Sequence, residues 1–203
     1  MAPGTSYNIA CVVFDMDGTL TVSNLDFDGI REEAGIPDGE PILEYLDSAP
    51  APERERGERV LHAHEREAIR NCRLRPGVNR VFDALRQAGV KIALLTRNSR
   101  SCVEMLIERF EFSFDCWVSR EDAAPKPSPE PLLKIARCVG VPPSEMLMVG
   151  DYKFDMQAGR AAGARTAFLE TNYHREVKPE ADVVISDLRE LLDYLCLTLQ
   201  DRG

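Results

Sequence analysis

Three short segments hold the residues that could do chemistry. Asp15-Met16-Asp17-Gly18-Thr19-Leu20 follows the apolar run Ile9–Phe14, Thr96-Arg97-Asn98 follows Val90–Leu95, and Gly150-Asp151, with Asp155 four residues on, follows Met146–Val149. If these runs are parallel strands, all three segments meet at one sheet edge, since such sheets bind ligands beyond the carboxyl ends of their strands. Carboxylates gathered there repel one another, and a cation must offset the repulsion. All-oxygen ligation in a hydrated site suits Mg2+ rather than a softer metal.

The roles follow from position. A carboxylate at Asp15 can attack phosphorus in line once the repulsion is suppressed. Two residues on, Asp17 returns to the same side, where it can protonate a leaving group and then deprotonate a water. That needs environments which separate the pKa values of the two acids. Gly18 and Thr19 let backbone N–H groups approach an anion. Lys126 stands between Pro125 and Pro127 and is one of five lysines against twenty arginines. A compact ammonium held stiffly before a helix start is placed to neutralise phosphate and nucleophile charge.

Each feature has a plainer reading. A lone D-x-D is common in surface loops, and an EF-hand fails because its sixth position would be Leu20 and its twelfth Asp26. No GxxxxGK or GxGxxG occurs, so a P-loop or dinucleotide site has no support. Isolated loop lysines are mostly solvated. Gly159 and Gly163 read as close helix–sheet packing, and His62 and His64, two apart, diverge on a helix. Trp117 reads as core or core edge.

The elements that must position these residues alternate. Strands are expected at Ile9–Phe14, Val90–Leu95, Met146–Val149, Thr166–Leu169 and Val183–Ile185, with helices near 78–88, 101–109, 129–138, 154–162 and 187–199. Ser128-Pro129-Glu130 is a helix start with Ser128 as cap. Strands apolar on both faces belong to a parallel sheet covered on both sides, so the fold class is α/β, a doubly wound parallel sheet. Residues 22–75 break the rhythm: they contain no β-like run and look helical, with Val60, Leu61, Ala68, Ile69 and Cys72 on one stripe. The expected division is a core of 1–21 and 76–203 with a helical cap insertion at 22–75.

The 203 residues, 44% hydrophobic and 29% charged, match a globular chain. A net charge of -9 argues against nucleic-acid or anionic-membrane partners. Neither a membrane-length apolar run nor a secretory signal is visible. Cys11, Cys72, Cys102, Cys116, Cys138 and Cys196 are widely spaced without CxxC, which reads as buried reduced thiols in a cytoplasmic protein.

Taken together, these residues resemble the motifs of the haloacid dehalogenase (HAD) superfamily, in order and over residues 9 to 195. Asp15-Met16-Asp17-Gly18-Thr19-Leu20 resembles its first motif, Thr96 the second, Lys126 the third, and Gly150-Asp151 with Asp155 the fourth. The insertion after the first motif is similar to the helical cap of the phosphoglycolate-phosphatase-like branch. The resemblance implies a Rossmann-like core and a Mg2+-dependent phosphatase forming an aspartyl phosphate at Asp15. It implies Mg2+ ligation by Asp15, the Asp17 carbonyl and Asp151, with Asp155 in support. Gly18, Thr19, Thr96 and Lys126 would hold the phosphoryl oxygens, with Asn98 orienting the Thr96 loop. Asn24, Phe27 and Arg31 of the cap are the specificity candidates. Asp17 disfavours dehalogenation, whose halide leaving group needs no proton. Residues 22–75 hold eight Arg and no Lys, which counts against the cap-lysine Schiff base of phosphonoacetaldehyde hydrolases. The motifs leave open a β-phosphoglucomutase-like phosphotransferase, while intact motifs count against a non-catalytic member. The implied partner is a small phosphorylated metabolite, bound by a monomer or homodimer.

Overall fold

The structure, a computed structural model, describes residues 8–22, 25–171 and 180–197. In chain order, β1 (Cys11–Phe14) and β2 (Thr21–Val22) lead to three helices, α1 (Phe27–Ala34), α2 (Ile42–Ser48) and α3 (Ala51–Asn71). The chain returns through β3 (Arg73–Leu74) to α4 (Val78–Gln87), β4 (Lys91–Leu95), α5 (Arg100–Phe110) and β5 (Cys116–Val118). It ends with α6 (Glu130–Val139), a 3-10 turn at Pro143–Glu145, β6 (Met146–Gly150), α7 (Lys153–Ala162), β7 (Arg165–Leu169), β8 (Val183–Ile185) and α8 (Glu190–Tyr194).

Six strands form one parallel sheet in the order β5-β4-β1-β6-β7-β8. β1 is central, and its alternation divides the core. Val12 and Phe14 point into a layer with Phe82 of α4 and Leu106 of α5, while Cys11 and Val13 meet Leu132 and Ile135 of α6 and Ala158 of α7. Both faces are thus dry, as the near-continuous apolar strands require. Gly159 lets α7 sit on the sheet, since a Cβ there would lie 2.6 Å from Thr166 Cγ2. Gly163 instead ends α7 in the left-handed conformation, a backbone rather than a packing reason.

Several sequence expectations shift. β5 was not expected: three residues with a half-buried Trp117 are too short to stand out, and Arg100 lies over that ring. Residues 22–75 do contain β structure, because β2 and β3 pair antiparallel where the chain leaves and re-enters the core. α6 starts one residue late, with Pro129 at the cap position and the Glu130 N–H donating to Ser128 Oγ (3.2 Å). α8 is shorter than expected, and residues 198–199 of that expectation lie outside the described residues. Half of the expected buried thiols are not buried: Cys11, Cys72 and Cys102 are, but Cys116 is partly exposed and Cys138 and Cys196 are exposed, all six being free.

α1, α2 and α3 share a small apolar cluster of Ile30, Ala34, Ile36, Ile42, Leu46 and Leu61, separate from the two sheet layers. Asp26 caps α1 by accepting from the Gly29 N–H. The buried stripe of α3 runs Gly57, Leu61, Glu65, Ile69 at four-residue spacing; of the expected stripe Leu61, Ile69 and Cys72 are buried, Val60 packs partly buried against the cluster, and Ala68 is partly buried. Gly57 admits Leu46, and Ile69 already joins the sheet layer. Among the described residues, no helix is long and apolar enough to cross a membrane.

Candidate active site

The carboxyl ends of β1, β4 and β6 lie side by side, so the three segments converge as expected. At the centre stands Lys126, 4% exposed. Its Nζ donates to Asp15 Oδ1, to Asp155 Oδ1 (2.6 Å) and to the Leu95 carbonyl (3.3 Å). Asp15, Asp151 and Asp155 each bring a carboxylate oxygen to within 4.8 Å of the others.

This cluster carries more negative charge than one ammonium can offset. Burial raises the Asp15 carboxyl well above its usual value; Lys126 pulls it down, and Asp155 and Asp151 push it up again. Burial, with repulsion from Asp155 added, raises Asp151 to about 7, against the opposing pull of Lys126, Arg75 and the Thr171 hydroxyl. Burial works against the Lys126 ammonium, but Asp15 and Asp155 outweigh it and hold the proton above the usual lysine range. A hard cation beside oxygen donors would relieve this repulsion, so the donor set fits Mg2+.

The supporting hydrogen bonds give each acid a different environment. Asp151 receives the Thr19 hydroxyl on Oδ1 (3.4 Å) and the Thr171 hydroxyl on Oδ2 (3.3 Å). Asp155 has its second oxygen occupied by the Tyr152 N–H (3.0 Å), which fixes the first turn of α7. Asp17 is outside the three-carboxylate cluster: its side chain takes Asn98 Nδ2 on Oδ2 and the Thr21 hydroxyl on Oδ1 (3.5 Å). The expectation of Asp17 as a metal residue therefore does not extend to its carboxylate. The Asn98 side-chain amide donates to Asp17 Oδ2 and lies 3.9 Å from Met16 Sδ.

Thr96 is buried, and its Oγ1 accepts from the Asn98 N–H (3.0 Å), leaving the hydroxyl proton to donate elsewhere. Gly18 is not an available donor, since its N–H is bonded to the Thr21 carbonyl (2.9 Å). It is a glycine for shape: φ is +81°, and a Cβ would overlap the Asp151 carboxylate. The backbone N–H groups of Met16, Thr19 and Arg97 have no partner among the described residues. Those of Met16 and Arg97 were missed in the sequence, where backbone donors carry no side-chain signature. Thr171 was missed too, although it lies two residues beyond the end of β7 on the same sheet edge. Thr21 and Arg75 flank the cap connections and had no motif to mark them.

The cap candidates fare differently. Arg31 is spent within the cap, on the Glu40 carbonyl (3.0 Å) and Asp28 (2.9 Å), so it does not reach the catalytic cluster. Phe27 is 51% exposed at the start of α1, and Asn24 lies outside the described residues. The cap also meets the core through ion pairs. Glu44 of α2 receives Arg97 (2.5 Å), whose guanidinium lies over Phe154, and buried Glu65 of α3 receives Arg120.

A doubly wound sheet with carboxylates and a lysine gathered at its central strand ends defines a hydrolase of the HAD class. The sequence profile of the haloacid dehalogenase-like hydrolases matches residues 22–169, and the chain belongs to this family. It is 36% identical to an uncharacterized hydrolase of Saccharomyces cerevisiae, over 93% of this chain and 91% of that protein. It is 31% identical to a phosphoglycolate phosphatase of Pseudomonas syringae pv. tomato, over 93% of this chain and 80% of that one. A subfamily IA HAD-superfamily hydrolase from Geobacter sulfurreducens superposes with a TM-score of 0.67 at 25% identity, covering 96% of this chain and all of the other. The chain is an enzyme of the phosphoric monoester hydrolase type.

Proposed function

We propose that this enzyme is a Mg2+-dependent phosphatase that hydrolyses a small phosphorylated metabolite through an aspartyl phosphate at Asp15. The observation that carries the reading is the buried Lys126, bonded to both Asp15 and Asp155, with Asp151 completing an oxygen cluster. Asp15, Asp151 and the Asp17 carbonyl would hold the metal, with Asp155 fixing Lys126 beside them. Bound there, Mg2+ supplies charge neutralisation between carboxylate and phosphate.

This chain's own residues do the rest. An Asp15 carboxylate oxygen forms the new bond to phosphorus as the P–O bond to the leaving group breaks. Asp17 gives its proton to the departing oxygen. Asp17 then takes a proton from water, whose oxygen attacks the same phosphorus, releasing inorganic phosphate and regenerating Asp15. Lys126, the Thr96 hydroxyl and the open N–H groups of Met16, Thr19 and Arg97 stabilise the phosphoryl oxygens, the positioning that this transfer chiefly needs. Asn98 and Thr21 orient Asp17.

In the same reading, 1–21 and 76–203 form the catalytic domain and 22–75 a cap that covers it and selects the substrate. The phosphoglycolate phosphatase relative supports a compact phosphorylated acid as the substrate to try first. The enzyme acts in the cytoplasm, as a monomer or homodimer. The test is phosphate release from an aryl phosphate and from phosphoglycolate, with Mg2+ or excess chelator, beside Asp15→Asn. Metal-dependent release lost in the variant is the expected result. Transfer to an added sugar in place of release to water would replace hydrolysis by phosphotransfer.

A further inference from the structure

Where the chain comes back from the cap, one side chain reaches into the catalytic turn. Arg75 follows β3 directly, and its own N–H donates to the Leu20 carbonyl (2.8 Å). Its Nη2 donates to the Gly18 carbonyl at 2.5 Å. Its Nε is buried without an acceptor. A buried guanidinium nitrogen left unsatisfied carries a desolvation cost with no bond to offset it. Ordinary chain packing would not favour that loss, so the placement of this arginine needs another reason.

The Gly18–Thr19 peptide supplies one. On one side, Arg75 holds its carbonyl. Around the same peptide, the space where a Gly18 Cβ would sit is filled by the Asp151 carboxylate, and the Thr19 hydroxyl reaches Asp151 at 3.4 Å. The peptide is therefore gripped between Arg75 and Asp151. In a planar trans peptide the N–H points opposite to the carbonyl, so holding the Gly18 C=O toward Arg75 turns the Thr19 N–H away from it. Thr19 is fully buried and this N–H has no partner among the described residues. A buried open donor with its direction locked is what a phosphoryl oxygen requires.

We infer that Arg75 is a positioning residue, which clamps the Gly18–Thr19 peptide against Asp151 and so aims the Thr19 N–H at the transferring phosphoryl group. Because Arg75 also closes the β2–β3 connection through Leu20, it ties the cap's return strand to the turn that carries Asp17. The inference rests on the phosphatase reading for its kinetic consequence, and on geometry alone for the orientation of the amide.

The test uses wild type, Arg75→Lys and Arg75→Met in the full chain. The lysine keeps a donor for the Gly18 carbonyl, whereas methionine keeps the stem and loses every donor. With an aryl phosphate and Mg2+, Arg75→Met should lower kcat about 10- to 100-fold with KM within about threefold, the scale for a misaligned reacting geometry. Arg75→Lys should recover most of kcat. In 15N-labelled protein, inorganic phosphate with Mg2+ should move the Thr19 amide resonance in wild type and Arg75→Lys, and leave it in place in Arg75→Met. A Met variant with wild-type kcat and a phosphate-responsive Thr19 overturns the inference. So does a loss in kcat that lysine fails to restore in a folded protein. If wild type releases no phosphate yet the Thr19 shift follows this pattern, the hydrolysis reading fails and the role of Arg75 stands.

Discussion

The catalytic end of the sheet and the helical cap are built on opposite plans. At the sheet end, charge is buried and bonded in several directions: Lys126 has three acceptors, and Asp151 and Asp155 each have both oxygens engaged. The cap has a six-residue apolar cluster of its own and meets the core through Ile69 and Cys72 in the sheet layer, through Arg109 on the Ile69 and Cys72 carbonyls, and through two ion pairs of unequal quality. Glu65 is 3% exposed and faces Arg120, whereas Glu44 is 48% exposed and faces Arg97. The contrast teaches that the reactive groups are set mainly by strand ends, with one hold on their turn, Arg75, coming from the cap's return. Of the two pairs between cap and core, one lies half in water.

The sharpest way to break this comparison is at its centre. Asp15→Asn should abolish turnover, by at least about a thousandfold in kcat, since a nucleophile has no substitute. Single-turnover phosphate release measures it, and residual activity near wild type would move the chemistry elsewhere. Lys126→Met should follow, at about 10²–10³-fold in kcat, with a lower melting temperature because three buried carboxylates lose their cation.

The two cap pairs then sharpen it. Glu65→Ala strands Arg120 in a mostly buried position and should cost about 3–5 kcal/mol, read by urea unfolding. Glu44→Gln, at an exposed pair, should cost less than about 1 kcal/mol while changing KM for the physiological substrate. Equal stability losses at the two positions would show that the cap is held uniformly.

The smallest effect is that of pH. Asp151 is raised from 3.8 to about 7 by burial, so the folded state holds its proton more tightly than the unfolded chain does. Its contribution to stability is therefore fully present below about pH 3.8 and is lost as pH rises through 7. The buried Asp15 shifts in the same direction. In chelator, the melting temperature should carry a downward component between pH 4 and 7, and Mg2+ should flatten it. A melting curve with the same pH slope with and without Mg2+ would remove the metal from this cluster.

Legibility followed the same divide. Asp15, Thr96, Lys126, Asp151 and Asp155 could be read because each follows a buried strand or stiff loop, and β1, β4 and β6 are apolar enough to be seen. The short β5 and the β2–β3 pair could not, since three and two residues make no period. The partners of Arg31, the Glu40 carbonyl and Asp28, could not be read, because position near the entry to the cap says nothing of where a long side chain ends. Asn98 was placed in the right loop, where its N–H does bond Thr96, but its side-chain partner Asp17 lies 81 residues away and left no local sign.

What the sequence determined by itself was the order of apolar runs and the reactive residues just beyond them. Hydrophobic burial dictates parallel strands, and parallel strands bring their carboxyl ends to one edge whatever the loops do. What only the tertiary structure decided was the direction of each polar group. Asp17 bonds Asn98 and Thr21 outside the cluster of the other three acids, Gly18 gives up its N–H, and Arg75 reaches back from the far end of the cap to hold the turn. Such directions are set by partners distant in sequence, 57 residues away for Arg75 and Gly18, and no local pattern encodes a contact of that kind.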